Sequence, residues 1–354
     1  TIETKKVVGA IGFGDKTLII EPKIPAETFL FIWRNSGQTP LTPKNIEKAS
    51  LADAENFVDL VAAWYVMEIK QLLKVGLHRD YETQEQEVET LLGAVIPLPT
   101  AMNFYRGKLQ FHCVFDEFTF DNPLNRVLVE ALDKIMRLPG INPQIRTETR
   151  RLISSFPEVS PYKENDLLVE ITRQQQRYNT PFFLAKQVIE GTGRNLNEGT
   201  EPVATFLLNS PSAIEDGLRN LLKINLASEI QPWKGREILH GGFEIDPDLR
   251  FGRPEEAVGD VKYRLYGADN GWKRSEVHQL TTYAAALETP KGLLIGFTKN
   301  TDFSIEDLGI GSHTLRMFLW DVSEETDPEN ESKKLSHKIE SFISPLAISE
   351  SISA

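Results

Sequence analysis

A single cysteine, Cys113, stands among 354 residues. That excludes an internal disulfide and any metal site built from several thiolates. No run approaches the roughly 20 consecutive apolar residues that a membrane helix needs. The longest apolar stretches, such as 57–73, lie inside amphipathic patterns. The opening residues alternate charged and β-branched types, and no secretory signal pattern is present. With 40% hydrophobic and 25% charged residues, the usual balance of a globular chain, these absences predict a soluble protein of the reducing cytoplasm. There is no GxxxxGK(S/T) segment, so nucleotide binding of the P-loop kind is excluded. Gly9-x-x-Gly12-x-Gly14 lacks the spacing and the following helix of a dinucleotide fingerprint. The six histidines show no zinc spacing, and no serine nucleophile elbow occurs.

Positive charge is also short. Lys and Arg number 39 against 51 Asp and Glu, a net charge of −12. A protein that holds DNA unaided presents a basic face, because phosphate neutralisation dominates affinity. An acidic chain that acts on nucleic acid therefore relies on a partner to hold it, or confines its basic groove within an acidic whole.

The length allows two or three domains. Val7 to Ile11 and Thr17 to Ile20 read as a hairpin around the glycine-rich turn Gly12-Phe13-Gly14-Asp15. A short apolar helix is expected at 27–35. The clearest helix runs over 52–76, where Phe57, Leu60, Val61 and Trp64 recur at helical spacing and Gly76 stops the run. Residues 79–120 look strand-rich. Pro123 opens a helix through Met136, and further helices are expected over 142–155, 164–178 and 180–190. The polar stretch from Gly191 to Gly199 marks a boundary. Beyond it, 203–320 reads as mixed α/β: a strand, a helix from about Ser210, strands near Ile238, 245–251 and 258–266, a helix over 273–287, and strands over 292–298 and 315–320. The acidic stretch 321–331 reads as solvated, and a last amphipathic helix covers 333–343.

The most informative segment is 245–262. Asp248 follows Pro247. After a turn comes Asp260-Val261-Lys262, flanked by the apolar Val258 and Tyr263. Side chains on a strand alternate faces, so Asp260 and Lys262 share a face while Val261 points to the core. Two carboxylates and an ammonium meeting at one point suit a divalent cation beside a phosphate, the Pro-Asp…Asp-x-Lys arrangement of a metal-dependent nuclease. Each part has a plainer reading. Asp-Pro-Asp is turn chemistry, and Asp260 with Lys262 is also a buried ion pair.

Two further positions belong to the argument. Gln279 and Tyr283 lie four apart on one helix face, where an amide and a phenol can orient a phosphate or a water; they are otherwise ordinary helix surface. Glu215 sits early in the helix that opens this region. It is a third candidate ligand, or an acid favoured by the helix dipole. Hard oxygen donors from Asp248, Asp260 and Glu215 suit Mg²⁺, with Mn²⁺ as a substitute. Such an ion activates water and stabilises charge on the reacting phosphate, while Lys262 orients or deprotonates that water or neutralises the developing charge.

Several segments in order resemble the McrC family, the nuclease subunits of McrBC modification-dependent restriction systems. They are Val8-Gly9-Ala10-Ile11 through Ile20-Glu21-Pro22-Lys23-Ile24, Gly76-Leu77-His78-Arg79-Asp80-Tyr81, and Phe115-Asp116-Glu117-Phe118-Thr119 with Asp121-Asn122-Pro123-Leu124-Asn125-Arg126. Pro247-Asp248 and Asp260-Val261-Lys262 fall at the family's PD-(D/E)xK motifs, and Gln279 to Tyr283 at the helix after them. The resemblance spans about residues 7–298. Gly259 stands where the family tends to place an apolar residue. Asp121-Asn122-Pro123 reads as a helix cap, with Asn125 and Arg126 as fold or interface residues.

The resemblance implies an α+β multidomain chain. An N-terminal β-rich docking region would cover 1–50. A mainly helical middle domain with a strand-rich insert would cover 51–198, and a C-terminal α/β PD-(D/E)xK endonuclease domain with an acidic tail 199–354. It implies a hexameric McrB-like AAA+ GTPase as partner, with GTP bound only there, and double-stranded modified DNA of the methylcytosine type as substrate. The catalytic set would be Asp248, Asp260, Lys262, Gln279 and Tyr283. Two alternatives stand beside it: a non-cleaving subunit that only stimulates the GTPase, and a self-sufficient PD-(D/E)xK nuclease.

Overall fold

In a computed structural model the structure describes residues 6–13, 16–37, 54–192, 205–252, 254–268, 271–300, 303–324 and 326–344. In chain order these form β1 (Val7–Phe13), β2 (Lys16–Ile20), α1 (Ala26–Arg34), α2 (Phe57–Val75), β3 (Asp80–Val88), β4 (Ala94–Val95), α3 (Pro97–Tyr105), β5 (Phe111–Thr119), α4 (Pro123–Met136), α5 (Pro143–Ser155) and α6 (Asn179–Gly191). They continue with β6 (Thr205–Asn209), α7 (Ser210–Asn225), β7 (Pro232–Trp233), β8 (Glu237–Ile238), β9 (Glu244–Ile245), β10 (Leu249–Phe251), β11 (Ala257–Tyr266), α8 (Arg274–Ala286), β12 (Lys291–Thr298), β13 (Leu308–Ile310), β14 (His313–Asp321) and α9 (Pro328–Ile343). The fold is mixed α+β. The expected hairpin is present, since β1 and β2 are neighbours in a three-stranded sheet of order β2-β1-β6; its turn residues Gly14 and Asp15 lie outside the described residues.

The chain divides into two compact units. One comprises Thr1–Gly9, Ile19–Lys44 and Leu208–Ala354, the other Ala10–Leu18 and Asn45–Leu207. Most of the expected 191–199 boundary lies outside the described residues.

In the second unit, α2 begins at Asn56, whose side chain accepts the Val58 and Asp59 amides, and ends at Gly76 with φ of 106°. Its face of Phe57, Val61, Trp64, Tyr65 and Ile69 is buried, as its spacing predicts. Asn122 caps α4 by accepting the Asn125 amide at 3.1 Å, with Pro123 in the first turn. Asn125 is fully buried and gathers two of the motifs quoted above. Its Nδ2 donates to the carbonyls of His78 at 3.0 Å and Phe120 at 2.8 Å, and its Oδ1 accepts Tyr178 Oη at 2.7 Å. Arg126 pairs with both oxygens of Asp166 at 3.0 Å and with Asp121. The fold role expected of Asn125 and Arg126 is therefore visible in their contacts.

Two expectations fail in this unit. The helix expected over 164–178 is two short 3₁₀ turns, 164–168 and 173–178. The Asp166 carboxylate accepts the Lys163 amide and Arg126 instead of facing solvent along a continuous helix. The strand-rich stretch 79–120 contains a helix, α3, opened by Pro97. It leaves Leu98, Met102 and Tyr105 exposed, so it carries no amphipathic signal.

The first unit is built on a six-stranded sheet of order β13-β14-β12-β11-β10-β7. β11, β12 and β14 run parallel, while β10 and β13 pair antiparallel with their neighbours. The middle strand β12 is a nearly continuous buried apolar run, as a parallel strand covered on both faces must be. Alternation along β11 sorts its side chains. Tyr263 packs on Phe29 of α1, and its hydroxyl accepts the Lys23 amide at 2.7 Å. Tyr266 joins Leu280, Leu294, Leu315 and Met317 in the core beneath α8.

In the acidic stretch 321–331, Glu324, Asp327 and Glu329 are exposed as expected, but Glu331 is not. Asp321 accepts Ser323 and Thr326, Asp327 caps α9, and Glu331 is buried, where it accepts the Asp321 amide at 3.3 Å. The last helix accordingly starts at Pro328, five residues before the expected 333.

Candidate active site

Asp248 stands immediately before β10, so the strand expected over 245–251 is broken into β9 and β10 around Asp246-Pro247-Asp248. Pro247 is buried beside it. Leu249 pairs antiparallel with Gly259, which brings Asp248 alongside Asp260. The Asp248 carboxylate accepts the Val261 amide at 2.9 Å. Gly259 sits where an added Cβ would come within 2.7 Å of the Leu293 side chain. The apolar position that the family tends to fill is here occupied by a neighbour.

Asp260 is 3% exposed. Lys262, two residues on and on the same face, brings Nζ to 2.5 Å from Asp260 Oδ2. The ammonium thus sits directly against one oxygen of a buried carboxylate. Lys262 Nζ also donates to Gln279 Oε1 at 3.1 Å, and Gln279 Nε2 donates to Tyr283 Oη at 2.9 Å. The chain Tyr283–Gln279–Lys262–Asp260 settles which end of the amide faces the amine. Further along β11, Arg264 and Tyr266 both bond Glu276 of α8, at 3.1 and 3.0 Å, and pin that helix to the strand.

The charges do not balance. Burial pushes the Asp260 carboxyl up to about 7, with Asp248 adding to it, Lys262 opposing, and Glu215 adding again. Glu215, half-buried on α7, is raised by burial and by Asp248. Burial works against the Lys262 ammonium, but Asp260 beside it, with Asp248 and Tyr283, holds it above the ordinary lysine range. Asp260 and Glu215 are both raised, with the Asp248 charge a shared cause, and the site is deficient in positive charge.

The structure thus brings Asp248, Asp260, Lys262, Gln279 and Tyr283 together, with Glu215 within electrostatic reach. Among the described residues, no group of three or more His, Cys, Asp or Glu side chains is gathered as a ready-made metal site. Mg²⁺ is commonly held by one or two carboxylates and keeps several waters. The paired Asp248 and Asp260, with Lys262 balancing only one of the two charges, fit that requirement. His278 beside Gln279 is exposed. Sequence reasoning missed Arg219, which lies on α7 and reaches the Asp248 main chain at 2.9 Å. Nothing local in the sequence marks so distant a contact.

A mixed sheet with a half-buried cluster of carboxylates and one amine defines an α+β protein with a polar site. The chain belongs to the family of McrBC 5-methylcytosine restriction system components, whose model matches residues 2–295. No curated protein matches it. Among solved structures, it is similar to a chain of a refined half-complex from a tetradecameric assembly of Thermococcus gammatolerans McrB AAA+ hexamers with bound McrC. The TM-score is 0.64 and the identity 16%, over 95% of this chain and 83% of that one. It also aligns with a chain of the cryo-EM structure of the Thermococcus gammatolerans McrBC complex, at TM-score 0.44 and 19% identity, over 64% of this chain and 68% of that one.

Proposed function

We propose that this chain is the DNA endonuclease subunit of a GTP-dependent restriction complex and cleaves double-stranded DNA bearing a methylcytosine-type base. Its fold class and partner assignment follow the McrC pattern: it docks on a McrB-like AAA+ GTPase hexamer, which alone binds GTP. The absent P-loop and the net charge of −12 agree with a subunit that neither binds nucleotide nor holds DNA by itself. Among the described residues no helix is long and apolar enough to cross a membrane, and we place the complex in the cytoplasm with the DNA. The region of 199–354 with the Asp248–Asp260–Lys262 centre is read as the PD-(D/E)xK nuclease domain.

The observation that carries this reading is the meeting of Asp248 and Lys262 at the buried Asp260. Asp248 and Asp260 would hold Mg²⁺, or Mn²⁺ in its place, with Glu215 as the nearby third acid. When bound, the ion polarises the phosphate and supports water attack. Lys262 is held as an ammonium by Asp260, so it serves as a charge stabiliser and donor rather than as the base. Two of its three N–H groups face Asp260 and Gln279, which leaves one for an oxygen of the phosphate or of the attacking water. Gln279 fixes the direction of that remaining donor, and Tyr283 fixes Gln279.

The test is cleavage of methylated and unmethylated duplex DNA by the complex with GTP and Mg²⁺. Asp248→Ala or Lys262→Ala is expected to lower cleavage by about 10³-fold and to leave partner GTPase stimulation intact. Wild-type stimulation without any cleavage would replace the endonuclease by a purely GTPase-activating subunit. Cleavage without partner or GTP would make the chain a self-sufficient nuclease.

A further inference from the structure

The face of α7 that carries Glu215 also carries Arg219, four residues on and one turn away. Arg219 is 6% exposed. Its Nε donates to the main-chain carbonyl of Asp248 at 2.9 Å. Its Nη1 meets the carboxylate of Asp216 at 2.6 Å. Its Nη2 is buried and has no hydrogen-bond partner.

This is an unusual use of a guanidinium. A buried arginine that only neutralises charge aims its fork at a carboxylate, where two parallel hydrogen bonds form. Arg219 instead grips the carbonyl of Asp248 and leaves the carboxylate to the Val261 amide. Asp248 is thereby held at three points: its carbonyl by α7, its carboxylate by β11, and its neighbour Leu249 by pairing with Gly259. Only the first of these ties the helix bearing Glu215 to the segment bearing Asp248. The unpartnered Nη2 shows that the bonding of Arg219 is not optimised for its own sake. A buried donor without a protein partner calls for an explanation of its own.

We propose that Arg219 is a positioning residue for a divalent-cation site: by clamping the Asp248 carbonyl to α7, it sets the spacing between Glu215 and the Asp248–Asp260 pair. This deepens the nuclease reading and rests on it. Glu215 is then not an incidental acid of α7, because the link that orients Asp248 is the same one that places Glu215. Removing the clamp loosens the oxygen donors without removing any of them.

The test uses Mn²⁺ binding to the full chain, read by electron paramagnetic resonance, beside the Mg²⁺ dependence of cleavage by the complex with GTP. Arg219→Lys keeps the charge and loses the fork; Asp216→Asn removes the carboxylate that anchors Arg219 and leaves Asp248 untouched. Each is expected to weaken Mn²⁺ binding by roughly 10- to 100-fold, the usual effect of disturbing groups behind a metal ligand. The Mg²⁺ needed for half-maximal cleavage should rise by a similar factor, with rate recovered at high Mg²⁺. GTPase stimulation should not change. Unchanged Mn²⁺ affinity in both folded variants, whatever their melting temperatures, would overturn the positioning role and leave the nuclease reading standing. A wild-type chain that binds no Mn²⁺ and a complex that cuts no DNA would overturn both.

Discussion

Asp248 and Val261 lie 13 residues apart, and the carboxylate of the first accepts the amide of the second at 2.9 Å. Val261 stands between Asp260 and Lys262. One hydrogen bond to the main chain therefore registers an acid outside β11 against the two charged groups on it. The candidate centre depends on the pairing of β10 with β11 more than on any contact between side chains.

The first prediction concerns pH. The Asp260 carboxyl is raised to about 7 by burial, with Asp248 next, whereas in the unfolded chain it titrates near ~3.9. Between those values the native state binds the extra proton, so stability falls as pH rises through that window and the penalty is complete above it. Lys262 is raised in the opposite regime and contributes evenly from pH 5 to 8. Asp260→Asn removes the titrating group. Relative to wild type, its unfolding free energy should improve by on the order of 2 kcal/mol between pH 5 and pH 8. Denaturant titrations of the metal-free chain at the two pH values check this. A difference between mutant and wild type that stays constant across the range would contradict it.

The second prediction concerns the packing beneath the site. Gly217 lies on α7 against α1, and an added Cβ would stand 2.2 Å from the carbonyl oxygen of Ile32 and 2.7 Å from its side chain. The nearest atom is backbone, so the two helices must move apart. Gly217→Ala should cost about 2–4 kcal/mol, despite the better helix propensity of alanine. Thermal unfolding measures it, and a stabilised variant would show that α1 and α7 do not approach so closely.

Much of the fold was legible because it is locally encoded. The spacing of Phe57, Val61 and Trp64, the Asn122-Pro123 start of α4, and the alternation around Asp260 each carry their own physical signal. Residues 97–105 failed because their apolar side chains are exposed and no periodicity separates the faces. The 164–178 stretch failed because Asp166 is claimed by Arg126, 40 residues away. Glu331 was read as solvated, and it is buried against the Asp321 amide. The acids and the amine of the centre were legible as residue types at a spacing. Arg219 was not, since its link to Asp248 crosses 29 residues and the three short strands β7, β8 and β9.

The third prediction revises what the N-terminal segment does. Ile24 is 3% exposed, Tyr263 next to Lys262 accepts the Lys23 amide, and Phe29 packs on the Tyr263 ring. Deleting residues 1–25 removes part of this support from the strand that carries Asp260 and Lys262. The truncated chain should therefore unfold at lower denaturant and cleave less DNA, in addition to any loss of partner stimulation. Tyr263→Phe isolates the effect, because it removes only the hydroxyl that accepts the main-chain amides of Lys23 and Ile24. It should cost about 1 kcal/mol. Equal denaturation midpoints for truncated and full chains would show that the segment serves docking alone.

The fourth prediction separates fold from chemistry in the second unit. Asn125 satisfies two carbonyls and one tyrosine hydroxyl in full burial. Asn125→Asp keeps the shape but turns the donor end into an acceptor facing two carbonyls, and should cost about 2–4 kcal/mol. The loss belongs to folding. At temperatures where the variant is native, the Mg²⁺ dependence of cleavage by the complex should match wild type, and a shifted Mg²⁺ requirement would contradict the structural assignment.

The last prediction concerns the relay behind the amine. Gln279 accepts from Lys262 and donates to Tyr283, so its two ends are not interchangeable. Gln279→Glu presents an acceptor to both neighbours and adds a fourth acid near Asp248, Asp260 and Glu215. The lysine stays charged, but its free N–H is no longer steered by a neutral amide, and the phosphate meets added repulsion. Cleavage should fall by about 10²-fold, mostly in the maximal rate. Tyr283→Phe leaves the Gln279–Lys262 bond in place and should cost ~10-fold or less. Rates at saturating DNA, GTP and Mg²⁺ distinguish the two. If Tyr283→Phe proved as damaging as Gln279→Glu, the phenol would act on the substrate directly, and Gln279 would not be the residue that directs the amine.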